Sequence, residues 1–229
     1  MKRILFTAAE PEELICAQNA WNQFESRLSG RISPDFMLTG IGTASTCYRL
    51  TARILENRRL RQEYDLVIDI GIAGSYDTEA LPVGAVALIE KEYFGDLGFE
   101  TGSGFRTLFQ SGSIDGNEHP YIDGALRRKE AWPDLEQALK KYRSAVGVTV
   151  QTVSGDSDRV ASLKRLFSPG IESMEGAGVY YVCLLEGIPC LELRSVSNEV
   201  GQSDSSMWDV PAALESLAAA CADIFMAFL

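Results

Sequence analysis

The chain has 229 residues, and its 32 acidic residues outnumber its 21 Lys and Arg residues, so its net charge is −11. This acidic balance argues against nucleic acid and anionic membranes as partners, because both require a basic face. The single histidine, His119, excludes zinc sites built on several histidines and lies in a Gly/Asn-rich stretch that is typical of an exposed loop. Acid–base chemistry is therefore expected to rest mainly on carboxylates.

The cysteines and the apolar segments indicate the compartment. The five cysteines include no C-x-x-C pair, which fits neither a zinc ribbon nor a disulfide framework. The opening MKRILF is followed by too few apolar residues for the core of a signal peptide, and no run of about 18 apolar residues occurs. We therefore predict a reduced, cytoplasmic protein that has no metal site and no cofactor and is not bound to a membrane.

Short apolar runs alternate with helical patterns along the chain. In chain order, this pattern predicts strands at 4–8, 36–38, 66–70, 83–89, 144–153 and 189–196, and helices at 12–28, 43–56, 157–167, 174–185 and 211–229. Thr43 is expected to cap the second helix. Residues 93–133 are rich in Gly, Asp and Ser and lack a regular apolar pattern, which predicts an irregular insertion. Because no linker divides the chain, we predict a single α/β domain at 1–229, with a mixed, largely parallel central sheet flanked by helices.

Ligands of such sheets bind beyond the carboxyl ends of the strands, so the segments that follow the predicted strands are the candidate site. The GIGTAS segment at 40–45 is close to a dinucleotide-binding fingerprint. It lacks the third glycine and an acidic residue at the end of the next strand. We interpret it as a tight strand-to-helix turn whose backbone N–H groups can face a ligand.

Carboxylates follow two of these strand ends. Glu10, Glu12 and Glu13 come after the first strand. They are either first-turn acids stabilised by the helix dipole or include a carboxylate that orients or deprotonates water. Glu175 enters an apolar helix among small residues, where a carboxylate that accepts two hydroxyl hydrogen bonds suits a ribose diol.

Four motifs occur together: GIAG at 71–74, SGD at 154–156, SMEG at 173–176 and RSVSN at 194–198. In this order and spacing they resemble the nucleoside phosphorylase/nucleosidase superfamily. Its hydrolytic branch, typified by methylthioadenosine/S-adenosylhomocysteine nucleosidase, is similar over nearly the whole chain. FGDLG at 94–98, and NEVG at 198–201 followed by WD at 208–209, look like the futalosine hydrolase subfamily of menaquinone biosynthesis.

The resemblance implies hydrolysis of a 6-oxopurine nucleoside, most simply futalosine, to hypoxanthine and dehypoxanthine futalosine. A carboxylate after the first strand then activates water; Glu13 aligns better, whereas a gapless count from the first residue selects Glu12. Met174 and Glu175 match the ribose-binding pair, with Glu175 on the 2′- and 3′-hydroxyls. The resemblance also implies weaker contacts with the base or with the rest of the pocket at four residues: Gly74, Ser154, Asp156 and Ser197. Relatives form homo-oligomers, for which exposed aromatic residues such as Trp208 are candidate contacts.

Asn198 stands where adenine-specific relatives have an aspartate. A 6-oxopurine presents two acceptors, O6 and N7, on that edge, so the NH₂ of an amide suits hypoxanthine better than adenine. Asn198 would then stabilise the departing base by hydrogen bonding; the alternative is a turn residue that caps the strand. Arg194 is expected to anchor Glu172 or Asp156 rather than to bind substrate.

Several alternatives stay open. A 6-oxopurine nucleoside phosphorylase needs cationic groups and glycine N–H groups for phosphate, but the loop that holds Glu10, Glu12 and Glu13 has neither Arg nor Gly, which favours hydrolysis. The others are a methylthioadenosine/S-adenosylhomocysteine nucleosidase, a nucleoside-binding protein without turnover, and a nicotinamide enzyme that uses residues 40–45. Futalosine also carries a carboxylate on its 5′ extension, so we expect a local basic spot, with residues 93–133 as its candidate source.

Overall fold

The computed structural model describes residues 1–102 and 104–229. The strands of these residues are β1 (Lys2–Ala8), β2 (Ile32–Leu38), β3 (Leu66–Ser75), β4 (Val86–Phe94), β5 (Gly98–Thr101), β6 (Gly104–Thr107), β7 (Leu126–Arg127), β8 (Arg143–Thr149), β9 (Ile171–Ser173) and β10 (Cys190–Glu199). The helices are α1 (Pro11–Leu28), α2 (Thr43–Arg59), α3 (Pro133–Leu139), α4 (Ser157–Phe167), α5 (Gly176–Glu186) and α6 (Val210–Met226). A short 3₁₀ turn, Ser205–Met207, precedes α6.

One mixed sheet of eight strands organises the molecule. Its order is β10-β4-β8-β9-β3-β1-β2, with β7 beside β4. Strand β10 also pairs with β3, so that β3, β10, β4, β8 and β9 close into a ring. The pairs β1–β2, β1–β3, β3–β10, β4–β8 and β8–β9 are parallel, whereas β4–β10, β3–β9 and β4–β7 are antiparallel. The prediction of a single α/β domain with a mixed, largely parallel sheet is confirmed.

Helices cover both faces of the sheet and bury two apolar layers. Ile68 belongs to the layer shared with α1 and α6, whereas Val67 and Cys190 belong to the layer shared with α2 and α5. Because side chains alternate along a strand, Asp69 and Glu192, two residues further on, share the α5 face. Both are almost completely buried. The α5 side of the sheet therefore changes from apolar to charged toward the carboxyl ends of its strands.

Some boundaries differ from the predictions. Strand β3 does not end at Ile70, because its pairing with β9 and β10 continues to Ser75. Strand β4 begins at Val86 rather than at 83, and the strand predicted at 144–153 ends at Thr149. Helix α5 begins at Gly176, two residues after its predicted start.

The predicted irregular insertion at 93–133 contains the β5–β6 hairpin and the short strand β7, and its remaining described residues lie mostly in turns. Residue 103 of this segment lies outside the described residues. His119 is exposed in it, as predicted. Among the helices of the described residues, none is both long and apolar enough to cross a membrane.

Candidate active site

A cleft of about 160 Å³ opens at the carboxyl ends of the strands. Its walls include residues that follow β1, β2 and β9, among them Glu13, Ile41 and Glu175, and residues in the last part of β3 and β10, among them Asn198. This is the location that the sheet topology predicts for a ligand site.

Glu13 lies in the first turn of α1 and lines the cleft. Its Oε2 accepts the backbone N–H of Glu10 at 3.0 Å, and its Oε1 accepts the backbone N–H of Ile72 at 2.8 Å. Burial raises the pKa of Glu13, while Arg194 and these two N–H groups oppose the rise. A desolvated carboxylate in a cleft wall is suited to take a proton from water.

Glu12, the other candidate for the water-activating carboxylate, points away from the cleft. Its side chain is exposed in the first turn of α1, and it does not line the cavity. Proline at position 11 begins the helix, and in the turn that follows Glu12 lies on the exposed face and Glu13 on the buried face. The geometry therefore favours Glu13 over Glu12.

Glu175 precedes α5, and the glycine turn after β2 holds its carboxylate. Its Oε1 accepts the backbone N–H of Gly42 at 2.9 Å. Gly42 has a φ of 86°, which favours glycine, and it is the N-cap of α2. The prediction that Thr43 caps this helix is therefore wrong: the Thr43 hydroxyl donates instead to the carbonyl of Met174 at 3.3 Å, and Met174 also lines the cleft.

Asn198 lines the same cleft as these carboxylates. It follows an irregularity in the pairing of β10 with β3, and such bulges re-aim side chains. Ser197 Oγ, also in the wall, lies 2.8 Å from Asn198 Oδ1, and Asn198 Nδ2 donates to the carbonyl of Glu199 at 3.0 Å. These contacts leave the second N–H of the amide for a ligand. A Cβ at Gly74 would lie 3.2 Å from Asn198 Nδ2, so glycine leaves room for the amide.

Ser154 and Asp156 lie outside the cleft wall. The backbone N–H of Ser154 donates to Glu172 Oε1 at 2.9 Å, and Asp156 is an exposed cap for two N–H groups of α4. Glu172 does line the cleft, but its Oε2 also accepts the Tyr76 hydroxyl at 2.6 Å. The described structure thus brings together Glu13, Met174, Glu175, Ser197, Asn198 and Gly74, and not Ser154 or Asp156.

Arg194 is a buried structural cation, but its predicted partners are wrong. It pairs with Asp69 and with Glu192, whose Oε1 lies 2.7 Å from Arg194 Nε. Glu172 is satisfied by Tyr76 and Ser154 instead. Burial disfavours the charged guanidinium, yet the surrounding carboxylates outweigh it and hold the pKa of Arg194 well above its usual value.

The cleft is acidic. Glu10, Glu13, Glu172 and Glu175 line it, and none of its lining residues in the described part of the chain is Lys or Arg. Like charges repel strongly where water is scarce, so this wall disfavours an anion such as phosphate. The basic spot expected for the substrate carboxylate does not belong to these walls.

One wall of the cleft is aromatic, and the sequence motifs do not indicate it. Trp208, taken as a candidate oligomer contact, is half-buried and lines the cavity, and its Nε1 donates to the carbonyl of Gln202 at 2.8 Å. Its position shortly after the polar cluster at the end of β10 is the signal that could have placed it. Apolar wall residues such as Ile41 and Val150 carry no such signal, because they look like any other strand-end residue.

Comparison with known proteins shows the family. The model of the phosphorylase superfamily matches residues 33–229. A futalosine hydrolase of Streptomyces coelicolor is 34% identical over 190 residues, which are 80% of this chain and 74% of that protein. A futalosine hydrolase of Thermus thermophilus is 30% identical over 188 residues, 81% of this chain and 78% of that protein.

Solved structures share the fold. A futalosine hydrolase mutant of Helicobacter pylori superimposes with a TM-score of 0.75 at 18% identity, over 100% of this chain and 98% of that chain. The 5′-methylthioadenosine/S-adenosyl homocysteine nucleosidase of Campylobacter jejuni gives a TM-score of 0.74 at 16% identity, over 99% and 98% of the two chains. The family model and the two relatives together show that this chain belongs to the phosphorylase superfamily and, within it, to the futalosine hydrolase family.

Proposed function

We propose that this chain hydrolyses the N-glycosidic bond of futalosine and releases hypoxanthine and dehypoxanthine futalosine. The observation that carries the proposal is the convergence of Glu13, Glu175 and the Asn198 amide in one cleft, whose described wall residues include no cation. The futalosine hydrolase relatives support the same substrate. A step in menaquinone biosynthesis follows from that substrate.

Glu13 is the group that activates water. Water attacks C1′ of the ribose as the C1′–N9 bond breaks; the bonding electron pair leaves with the purine, and the proton of water passes to Glu13. The N–H groups of Glu10 and Ile72 hold the Glu13 carboxylate in one orientation. A fixed carboxylate with a raised pKa is matched to this proton transfer.

Glu175, beside Met174, binds the ribose. Each carboxylate oxygen has two lone-pair sites, so Glu175 can hold the Gly42 N–H and still accept the 2′- and 3′-hydroxyls. Positive charge develops on the sugar in the transition state. Hydrogen bonds that strengthen with that charge lower the barrier instead of only tightening binding.

Asn198 reads the base. Its Oδ1 is engaged by Ser197 and one N–H by Glu199, so the other N–H donates to the acceptor edge of a 6-oxopurine. This N–H also stabilises the negative charge that the departing hypoxanthine takes up. Adenine presents a 6-amino donor on that edge, which does not match the N–H of Asn198. A methylthioadenosine/S-adenosylhomocysteine nucleosidase activity is therefore the second candidate, and only the similarity of the fold supports it.

A substrate panel tests the proposal. Futalosine, inosine and methylthioadenosine are each incubated with the protein, with and without phosphate, and base release is followed by chromatography. Release of hypoxanthine from futalosine without phosphate supports the hydrolase. Strict phosphate dependence would indicate a phosphorylase, turnover of methylthioadenosine alone would indicate the adenine-type nucleosidase, and no turnover of any substrate would indicate a binding protein.

We also propose that the protein works as a cytoplasmic homo-oligomer. All five cysteines are free, which suits a reducing compartment. Helices α2 and α5 pack together and expose large apolar side chains, among them Tyr48, Leu55 and Leu185, and Ile41 is exposed at the cleft edge. Clustered exposed apolar side chains are typical of a subunit interface. Light scattering of the purified protein tests the oligomeric state.

A further inference from the structure

Two further carboxyl groups are fully buried behind Glu175. Glu92 in β4 and Glu192 in β10 both have 0% exposure, and neither lines the cleft. Arg194 lies beside them and is already paired with Asp69. The reaction described above uses neither glutamate, yet two buried carboxylates cost several kcal/mol unless each is compensated.

One oxygen of each carboxyl group lacks a hydrogen-bond partner among the described residues: Glu92 Oε1 and Glu192 Oε2. A Cβ on Gly176 would lie 2.6 Å from the first of these atoms and 2.7 Å from the second. The two oxygens therefore border the same small space, which exists because residue 176 has no side chain. Two acceptors facing one space without a hydrogen between them would repel each other.

The other oxygens show which carboxyl group carries the charge. Glu192 Oε1 accepts from the Arg194 guanidinium at 2.7 Å, so Glu192 has a cationic partner. Among the described residues, Glu92 Oε2 accepts a neutral donor, the hydroxyl of Thr149, at 2.9 Å. A proton is therefore more stable on Glu92, which has a neutral partner, than on Glu192.

We propose that Glu92 and Glu192 share one proton, with Glu92 as the acid that donates to Glu192 Oε2, and that this pair positions Glu175 for the proposed reaction. The proposal rests on the proposed function only in its catalytic consequence. Burial, and next the charge of Glu192, raise the pKa of Glu92 well above its usual value. The other ionisable groups that face the pair are Arg194, Asp69, Glu175 and Tyr180.

Hydrogen bonds through the first turn of α5 link the pair to the backbone of Glu175, whose carboxylate binds the ribose. Thr149 Oγ1, which donates to Glu92, accepts the backbone N–H of Ala177 at 2.8 Å. Ala177 lies in the first turn of α5, whose next N–H, that of Gly178, donates to the carbonyl of Glu175 at 2.7 Å. Glu92 and Glu192 are thus positioning residues: they hold the start of α5 and do not touch the substrate.

Two isosteric variants test the assignment. Glu92→Gln keeps a donor toward Glu192 and an acceptor for Thr149, so we expect its melting temperature and its kcat for futalosine to stay close to those of the wild type. Glu192→Gln removes the charge that faces Arg194, so we expect its melting temperature to fall by about 10 °C. Displacement of Glu175 should lower its kcat by about 10- to 100-fold. In addition, kcat of the wild type should decline at alkaline pH as the shared proton is lost, and Glu92→Gln should remove that decline.

Equal damage from both variants, or a harmless Glu192→Gln, would overturn the assignment of the proton to Glu92. An alkaline decline that is unchanged in Glu92→Gln would overturn it too. If the wild type does not hydrolyse futalosine, the proposed function fails, but the two melting temperatures still decide whether the pair shares a proton in this way.

Discussion

Glu13 combines a structural and a chemical role in one side chain. Its Oε2 accepts the N–H of Glu10 and so caps the first turn of α1. Its Oε1 accepts the N–H of Ile72, which lies near the end of β3 in the cleft wall. The helix start and the cleft wall are therefore fixed by the same carboxylate. The neighbouring residue, Glu12, is also a glutamate in the first turn of α1, but its side chain is exposed and does not line the cleft.

Replacing Glu13 by Gln should lower kcat by about 10²- to 10⁴-fold, the usual contribution of a general base. The amide oxygen can still accept the Ile72 N–H, so binding should change little. Hypoxanthine release from futalosine measures kcat, and Glu12→Gln is the matched control, for which a rate near that of the wild type is expected. Similar losses in both variants would show that the base is not Glu13 alone.

Asn198 should determine which base is released. In Asn198→Asp, a carboxylate replaces the N–H that faces O6 and N7, and an unpaired buried acceptor costs about 1–3 kcal/mol, or about 10- to 100-fold in kcat/KM. Hypoxanthine and adenine release from matched nucleosides gives the comparison, with the exposed loop variant Asn117→Asp as a control. Unchanged hypoxanthine release would remove Asn198 from base recognition.

Two helix starts build the ribose site. The turn before α2 supplies the N–H of Gly42 to Glu175, and α5 begins directly after Glu175. The first residue of α5, Gly176, leaves space for the buried carboxyls behind it. Gly42 and Gly176 therefore both help to position the carboxylate of Glu175.

Gly176→Ala should destabilise the protein, because its Cβ would lie 2.3 Å from Glu192 Oε1 and 2.6 Å from Glu92 Oε1. Overpacking of this kind costs about 1–3 kcal/mol, although alanine favours a helix elsewhere. Urea unfolding measures the free-energy change. Gly102→Ala is the control, since its Cβ would meet nothing within 4 Å. A Gly176→Ala protein as stable as the wild type would show that the space is not constrained.

Elements with a local pattern could be predicted from the sequence, and those fixed by distant partners could not. The apolar run of β1 and the helical period of α4 predict strand and helix at those places. Strand β9 has only three residues and exists because β3 and β8 pair with it. In the same way, the order of motifs indicated Glu175 and Asn198, whereas the Arg194 partners depend on the register of β10 beside β3, which no local pattern reveals.

The acidic composition of the protein extends into its interior. Burial raises the pKa of Glu13, Glu92 and Glu192, and raises that of Asp69 to about 7 against the opposing charge of Arg194. The folded protein therefore binds protons at these carboxyl groups more tightly than the unfolded chain does. The stability that the protons provide is present at low pH and is lost as pH rises through the folded pKa values.

Consequently, the free energy of unfolding should fall between about pH 5 and pH 7, by about 1.4 kcal/mol per pH unit for each carboxyl that keeps its proton. Urea unfolding at several pH values measures this slope. The slope should be smaller in Glu92→Gln, which has lost one of the groups. Stability that rises across this range would contradict the protonated interior.

In the proposed reaction, this cleft cleaves futalosine with water while Glu175 holds the ribose. The most direct test is the rate of hypoxanthine release from futalosine in phosphate-free buffer, for the wild type and for Glu175→Gln. We expect the wild type to release one hypoxanthine for each futalosine consumed. We expect a rate about 10²- to 10³-fold lower for the variant, at an unchanged melting temperature. A wild type that is inactive without phosphate, or a Glu175→Gln variant with the wild-type rate, would show that the cleft does not work in this way.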